Sequence, residues 1–241
     1  MRNLILFLLI SIPIVHSLTV DVNVPEILDS RISSFILDDS KPNIVNIKTE
    51  VHNIGSLPFN SRVRLEVISK NQTDKILWSD EKLINPSEKK LFNLFFYFNQ
   101  SGSFRIKVRI YYSNEIMEYK DATFQLEKSI EPSDIFKIRR MRISGNYLKF
   151  EIKSEENGNF VANFFDYPKS WIVEQKTFSL EEDKWTPVKV KFIPAGDFNR
   201  KIGFEVFSID GNFYNSTHFE LKKESKIEEI YNNFFGFLGI S

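Results

Sequence analysis

Few side chains in this 241-residue chain are of types that carry chemistry. It has no cysteine and only three histidines, His16, His52 and His218. A thiol nucleophile and a Cys/His zinc site are therefore excluded. No Gly-x-Ser-x-Gly elbow, phosphate-binding loop or dinucleotide fingerprint occurs. His52 and His218 fall in or beside segments of strand periodicity, where ordinary strand residues are the simpler reading. The 32 acidic residues permit many carboxylate pairs of the kind that hydrolyse glycosides, but a sequence gives no separation between them. The acidic turns Asp38-Asp39 and Glu181-Glu182-Asp183 offer the oxygen ligands that calcium takes, without the regular spacing of a calcium loop. No catalytic, cofactor-binding or metal-ligating residue is assigned, and the expectation is a protein that is not an enzyme.

Residues suited to binding are more numerous. Arg139-Arg140-Met141-Arg142 is the densest basic run; it suits an acidic polymer, a solvated strand face or a contact between domains. Trp78, Trp171, Trp185, Tyr111, Tyr112 and Tyr147 could stack on sugars, although at strand spacing such residues more often fill a core. Asn71, Asn99 and Asn215 head Asn-x-Ser/Thr sequons at or beside turns and are the glycosylation candidates; Asn85 is not one, because Pro86 follows it. Near the C-terminus, Ile227, Ile230, Tyr231, Phe234, Phe235 and Leu238 recur at helical spacing after Ser225. This amphipathic helix would dock on the preceding domain, bind a partner or touch a membrane surface, though its polar side lacks the usual Lys/Arg richness.

The elements that would position these residues are strands. Between Ile44 and Ile68, Val45, Ile47, Thr49 and Val51, and then Val63, Leu65 and Val67, alternate with polar residues. The Asn53-Ile54-Gly55-Ser56 turn would join them as a pair to which later strands add. Lys75–Trp78, Phe104–Tyr111 and Ala122–Leu126 read as further strands, and Lys90–Phe98, apolar on both faces, as a central one. Twenty-four phenylalanines favour strands as well. Short strands separated by turn signals, with no long helical stretch between them, indicate an all-β sandwich.

The plan then repeats. The Ser144-Gly145-Asn146 turn, the alternation of Leu148, Phe150 and Ile152, and Asn157-Gly158-Asn159 mirror the first half. So do the endings Thr123-Phe124-Gln125-Leu126 and His218-Phe219-Glu220-Leu221. Residues 1–17, with Arg2, an apolar run from Leu4 to Val15 and a Val15-His16-Ser17 end, read as a cleaved secretory signal, or alternatively as a signal anchor. The expected organisation is signal 1–17, sandwich 18–128, linker 129–134, sandwich 135–224 and amphipathic helix 225–241. Lys+Arg and Asp+Glu both total 32, so no global field favours nucleic acid.

Within residues 43–128, the strand ending Val51-His52-Asn53-Ile54-Gly55, the strand Val63-Arg64-Leu65-Glu66-Val67, the turn Asn85-Pro86-Ser87-Glu88 and the strand Gly102–Val108 resemble CARDB-type immunoglobulin-like domains of archaeal and bacterial surface proteins. Residues 135–224 are similar more loosely. The chain departs from that pattern at Ser87, where members usually carry Gly after the turn proline. The resemblance implies two tandem immunoglobulin-like sandwiches acting as a stalk, spacer, adhesion or binding module, with no catalytic residues to transfer. The expectation is an exported cell-envelope protein, extracellular or anchored through its N-terminus, whose partner is a cell-surface protein or glycan. The rival readings are a carbohydrate-binding accessory module or glycosidase-like enzyme, and assembly through the C-terminal helix or an open strand edge.

Overall fold

The alternating residues of 44–68 become strands of two different sheets. The computed structural model describes residues 26–221, apart from 70–71, 99, 113–114, 128–130 and 196–199. The first sandwich has one sheet of β1 (Ser30–Lys41), β2 (Ile44–Asn53) and β6 (Lys89–Tyr97). Its other sheet comprises β3 (Phe59–Ser69), β4 (Gln72–Trp78), β5 (Lys82–Ile84), β7 (Gly102–Tyr112) and β8 (Glu115–Leu126). The strand orders are β1-β2-β6 and β4-β3-β7-β8, and β5 continues the pairing of β4 along β3.

In the second sandwich β9 (Phe136–Ser144), β10 (Tyr147–Ser154), β12 (Ile172–Val173) and β14 (Thr186–Ile193) form one sheet, in the order β12-β14-β10-β9. The facing sheet is β13-β11-β15-β16, from β11 (Gly158–Phe165), β13 (Lys176–Leu180), β15 (Arg200–Ser208) and β16 (Tyr214–Leu221). With β5 and β12 set aside, the two orders match strand for strand. This antiparallel three-plus-four arrangement, in which the chain changes sheet after its second strand, is immunoglobulin-like. The described residues are thus an all-β pair of sandwiches.

Several expectations need correction. Asn53-Ile54-Gly55-Ser56 is not a hairpin turn: β2 pairs with β1 and β6, and β3 with β4, β5 and β7. The turn instead carries the chain across the core. A Cβ on Gly55 would lie 2.2 Å from the Ile27 carbonyl oxygen, so glycine is required by the close approach of residues 27–29. Asn53, fully buried, donates through Nδ2 to the Leu57 and Ile84 carbonyls at 2.8 and 3.0 Å, and its Oδ1 accepts from Gly55 N–H at 2.9 Å.

Strand β6 is an edge, not a centre, of its sheet. Phe92, Leu94 and Phe96 fill the first core, whereas Leu91 is exposed. Strand β13 carries no legible period, since Phe178 and Leu180 are too few to show one, and β8 begins at Glu115, seven residues before the expected Ala122. Residues 133–134, assigned to a linker, are part of the second unit: Ser133 bridges Phe213, and Tyr214 N–H donates to the Ser133 carbonyl at 3.0 Å.

The Asn85–Glu88 turn closes through Glu88 N–H to the Asn85 carbonyl at 3.0 Å, with Pro86 second and Ser87 third at φ +63°. That is a type II turn, and its third position favours glycine. The signal segment 1–17, the 225–241 helix with Ile227, Ile230, Tyr231, Phe234, Phe235 and Leu238, and the sequon residues Asn71 and Asn99 all lie outside the described residues.

Phenylalanine is prominent in both cores. Phe150 meets Phe164 and Phe204 edge-on in the second, with centroids 6.4 and 5.0 Å away. Such T-shaped contacts add to the burial of each ring, worth about 2–3 kcal/mol.

Candidate functional site at the junction of the two sandwiches

The second sandwich is applied sideways to the first, against the edge strands β4 and β6. Alternation along β4 divides its side chains: Leu77 points into the first core, while Ile76 and Trp78 enter the core of the second. Glu174 bridges Trp78 in parallel, and Gln175 N–H donates to the Trp78 carbonyl at 2.8 Å. The buried Tyr167 hydroxyl donates to the Ile76 carbonyl at 2.6 Å. A smaller apolar cluster of Ile44, Tyr97, Val161 and Phe207 also spans the two units, and Tyr97 stacks on Tyr214 at 4.2 Å.

At the centre of this seam lies a polar network. Lys75 Nζ donates to both Glu205 carboxylate oxygens, at 2.9 and 2.7 Å, and to the Tyr97 carbonyl at 2.9 Å. Glu205 is 1% exposed, so its charge is tolerable only because it is paired. Asn163 Nδ2 adds a donor to Glu205 Oε1 at 3.1 Å. Gln175 completes the edge of β6: its Oε1 accepts from Phe95 N–H at 2.8 Å and its Nε2 donates to the Phe95 carbonyl at 2.6 Å. One glutamine thus imitates a neighbouring strand and satisfies both backbone groups of an edge residue. Burial raises the Tyr97 and Tyr167 hydroxyls above the usual phenol range, and burial, with Glu205 nearby, pushes Tyr214 up to about 12.

Beside the seam, Arg62, Arg64 and Glu66 occupy the polar positions of β3, yet all three are buried. Arg64 pairs with Glu66 at 2.8 Å and Arg109 with the same carboxylate at 2.9 Å. Arg62 reaches Glu81 at 3.0 Å and Glu174 at 3.6 Å. Burial raises the Glu174 carboxyl, and Arg62 opposes that shift. The Arg64 guanidinium lies 5.4 Å from the Trp78 ring centroid. A cleft of about 390 Å³ opens here, lined among others by Arg62, Trp78, Tyr111, Tyr112 and Ile172.

The residues expected from sequence are not gathered in one place. Trp78 and Trp171 are 4% and 0% exposed, so neither can stack on a sugar. Trp185 is half-buried under the Arg139 guanidinium, 3.9 Å from its ring centroid. Asn215 stands on β16, half-buried, with Nδ2 donating to Asp134 Oδ2 at 2.6 Å. Asp38 pairs with Lys48 and Ser40, and Asp183 with Lys153, so neither acidic turn assembles a calcium cage; among the described residues no group of three or more metal ligands converges.

His52 lies half-buried on β2. His218 Nε2 contacts Asp166 Oδ2 at 3.0 Å on the surface. Of the seam residues, Asn163 and Glu205 carried one legible signal, a polar type inside an apolar strand, whereas Lys75 and Gln175 carried none. Nothing in the sequence showed that they would meet.

No family model matches the chain, and no curated protein matches it. Among solved structures it is similar to red sea bream transglutaminase, at 11% identity over 80% of this chain and 32% of that one, with a TM-score of 0.29. It is also similar to dimeric latent PorU from Porphyromonas gingivalis, at 11% identity over 80% and 20% of the two chains, with a TM-score of 0.33. The chain spans about a third and a fifth of those two proteins, and the likeness carries no activity to it.

Proposed function

We propose that this chain is an exported cell-envelope protein that works without catalysis, as a rigid structural or binding module of two CARDB-like sandwiches. The observation that carries the reading is the seam. Lys75–Glu205 and the Gln175–Phe95 pairing make two repeats one arm, suited to holding loops and sheet faces in fixed relation to a partner. The apolar run before Val15-His16-Ser17 supports export.

The test is fractionation of the protein from its native host, with intact-mass analysis of what is recovered. A mass matching a chain that begins near Leu18, in a surface or secreted fraction, is the expected result. Glycan mass that disappears on replacing Asn71, Asn99 or Asn215 would identify the modified sequon. A full-length mass in the membrane fraction makes the N-terminal run an anchor and the sandwiches a tethered ectodomain. Full-length protein confined to the cytosol would overturn the proposal.

A further inference from the structure

The outer face of the β12-β14-β10-β9 sheet carries an arrangement that the fold does not need. Lys149 lies directly opposite Arg142 on β9 and Lys189 on β14, so three cations form one rung across three strands. Strands sit about 4.8 Å apart, and like charges placed directly opposite destabilise a sheet. A bulge sharpens the effect. Arg140 has φ +54° and the β9 register slips beside Glu151, which leaves Arg139, Arg140 and Arg142 all exposed while Met141 packs on the core.

The nearest carboxylate in register, Glu151, is already committed to Arg139 and Arg140 at 2.7 and 2.9 Å. It leaves the rung uncompensated. Lys149 donates to Ser144 Oγ at 3.0 Å, and Lys189 Nζ lies 3.7 Å from the Tyr147 ring centroid. Arg142 has no carboxylate within ion-pair reach among the described residues. In a chain of zero net charge, this is a concentration of one sign on one sheet face.

We propose that this face binds an acidic polysaccharide, whose anionic groups lie along the Arg142–Lys149–Lys189 rung. Two observations favour that polyanion over others. Arg139 lies over the Trp185 ring and Lys189 over the Tyr147 ring, so the aromatic platforms on which single-stranded nucleic acid would stack already carry a cation. Among the described residues the large exposed apolar ones, such as Leu83 and Leu91, belong to the first sandwich and its N-terminal approach, so the described part of this face offers nothing to bury in a bilayer. The inference deepens the binding-module reading by naming a ligand class, and depends on neither export nor the seam.

The test titrates polygalacturonate into the full chain at low and physiological salt, with neutral dextran as control. Binding should be confined to the polyanion and should weaken steeply with salt. The Arg142→Glu/Lys189→Glu variant should bind about tenfold or more weakly, with an unchanged or higher melting temperature because the rung becomes charge-alternating. Lys169→Glu, in the exposed loop after β11, should bind as the parent does. Absence of binding to the parent, or equal loss in Lys169→Glu, overturns the proposal. Tighter binding of phosphatidylglycerol vesicles or oligothymidylate than of polygalacturonate overturns it too. None of these outcomes changes what fractionation would report, so the two readings fail separately.

Discussion

Arg62, Arg64 and Glu66 on β3 and Arg142, Lys149 and Lys189 around β10 all stand on the outer face of a sheet, at positions that alternate with core residues. The first set is buried, balanced in sign and overlaid by Trp78. In the second, Arg142 and Lys189 are exposed and the rung is of one sign. The difference arises because the second sandwich docks beside β3, whereas among the described residues none covers the Arg142–Lys149–Lys189 rung. Charges that must be desolvated come with partners; charges left in solvent are free to meet something else.

The comparison can be broken most severely at Glu205. Replacing it with Ala strands Lys75 and Asn163 in the seam and should cost about 3 kcal/mol, read by denaturant unfolding. Two separate transitions should replace a single one. Gly211 tests the seam from its far end. It sits at φ +86°, and a Cβ there would overlap the Pro42 carbonyl oxygen at 1.8 Å. Gly211→Ala should therefore destabilise by about 2 kcal/mol or more.

The two crossing turns sharpen the comparison. Asn53 is fully buried with three hydrogen bonds, whereas the exposed Asn157 accepts one, from Glu182 N–H at 2.9 Å. Asn53→Ala should cost about 2 kcal/mol and Asn157→Ala less than about 1.

Alkali should loosen the seam. The Tyr214 hydroxyl, pushed up to about 12, holds its proton more tightly folded than unfolded. Its contribution is complete below the ordinary phenol value of about 10 and is lost as pH rises from there to about 12. Melting curves across that window should fall less steeply for Tyr214→Phe than for the parent. The smallest effect is a gain: Ser87→Gly relieves a positive φ and should add about 0.5 kcal/mol, net of glycine's larger unfolded-state entropy.

Strand periodicity and the repeat made the two sandwiches legible, because core burial imposes a period of two wherever one face meets apolar neighbours. Valines, isoleucines and leucines such as Val45, Val63, Leu65 and Leu148 lie inside as their spacing requires. Periodicity is silent on which strands pair, so Asn53–Ser56 read as a hairpin when it is a crossing. It is equally silent on what covers the second face of a strand: the apolar excess of β6 marks an edge sealed by Gln175, not a centre. The site was almost illegible. Lys75, Glu205 and Gln175 lie 100 residues or more apart in part, and only docking of two complete domains brings them together. Arg139-Arg140-Met141-Arg142 did stand out, but Lys149 and Lys189 join that basic run only through register.

Hydrogen exchange at two amides tests the claim of one rigid arm most directly. Phe95 N–H is bonded to the Gln175 side chain, and Gln175 N–H to the Trp78 carbonyl, so both protections exist only while the sandwiches are joined. The account predicts that these amides exchange slowly, alongside the amides of β3, and become fast together in Glu205→Ala. Exchange at the rate of exposed loops in the parent protein, with β3 still protected, would show two sandwiches that fold separately and move independently.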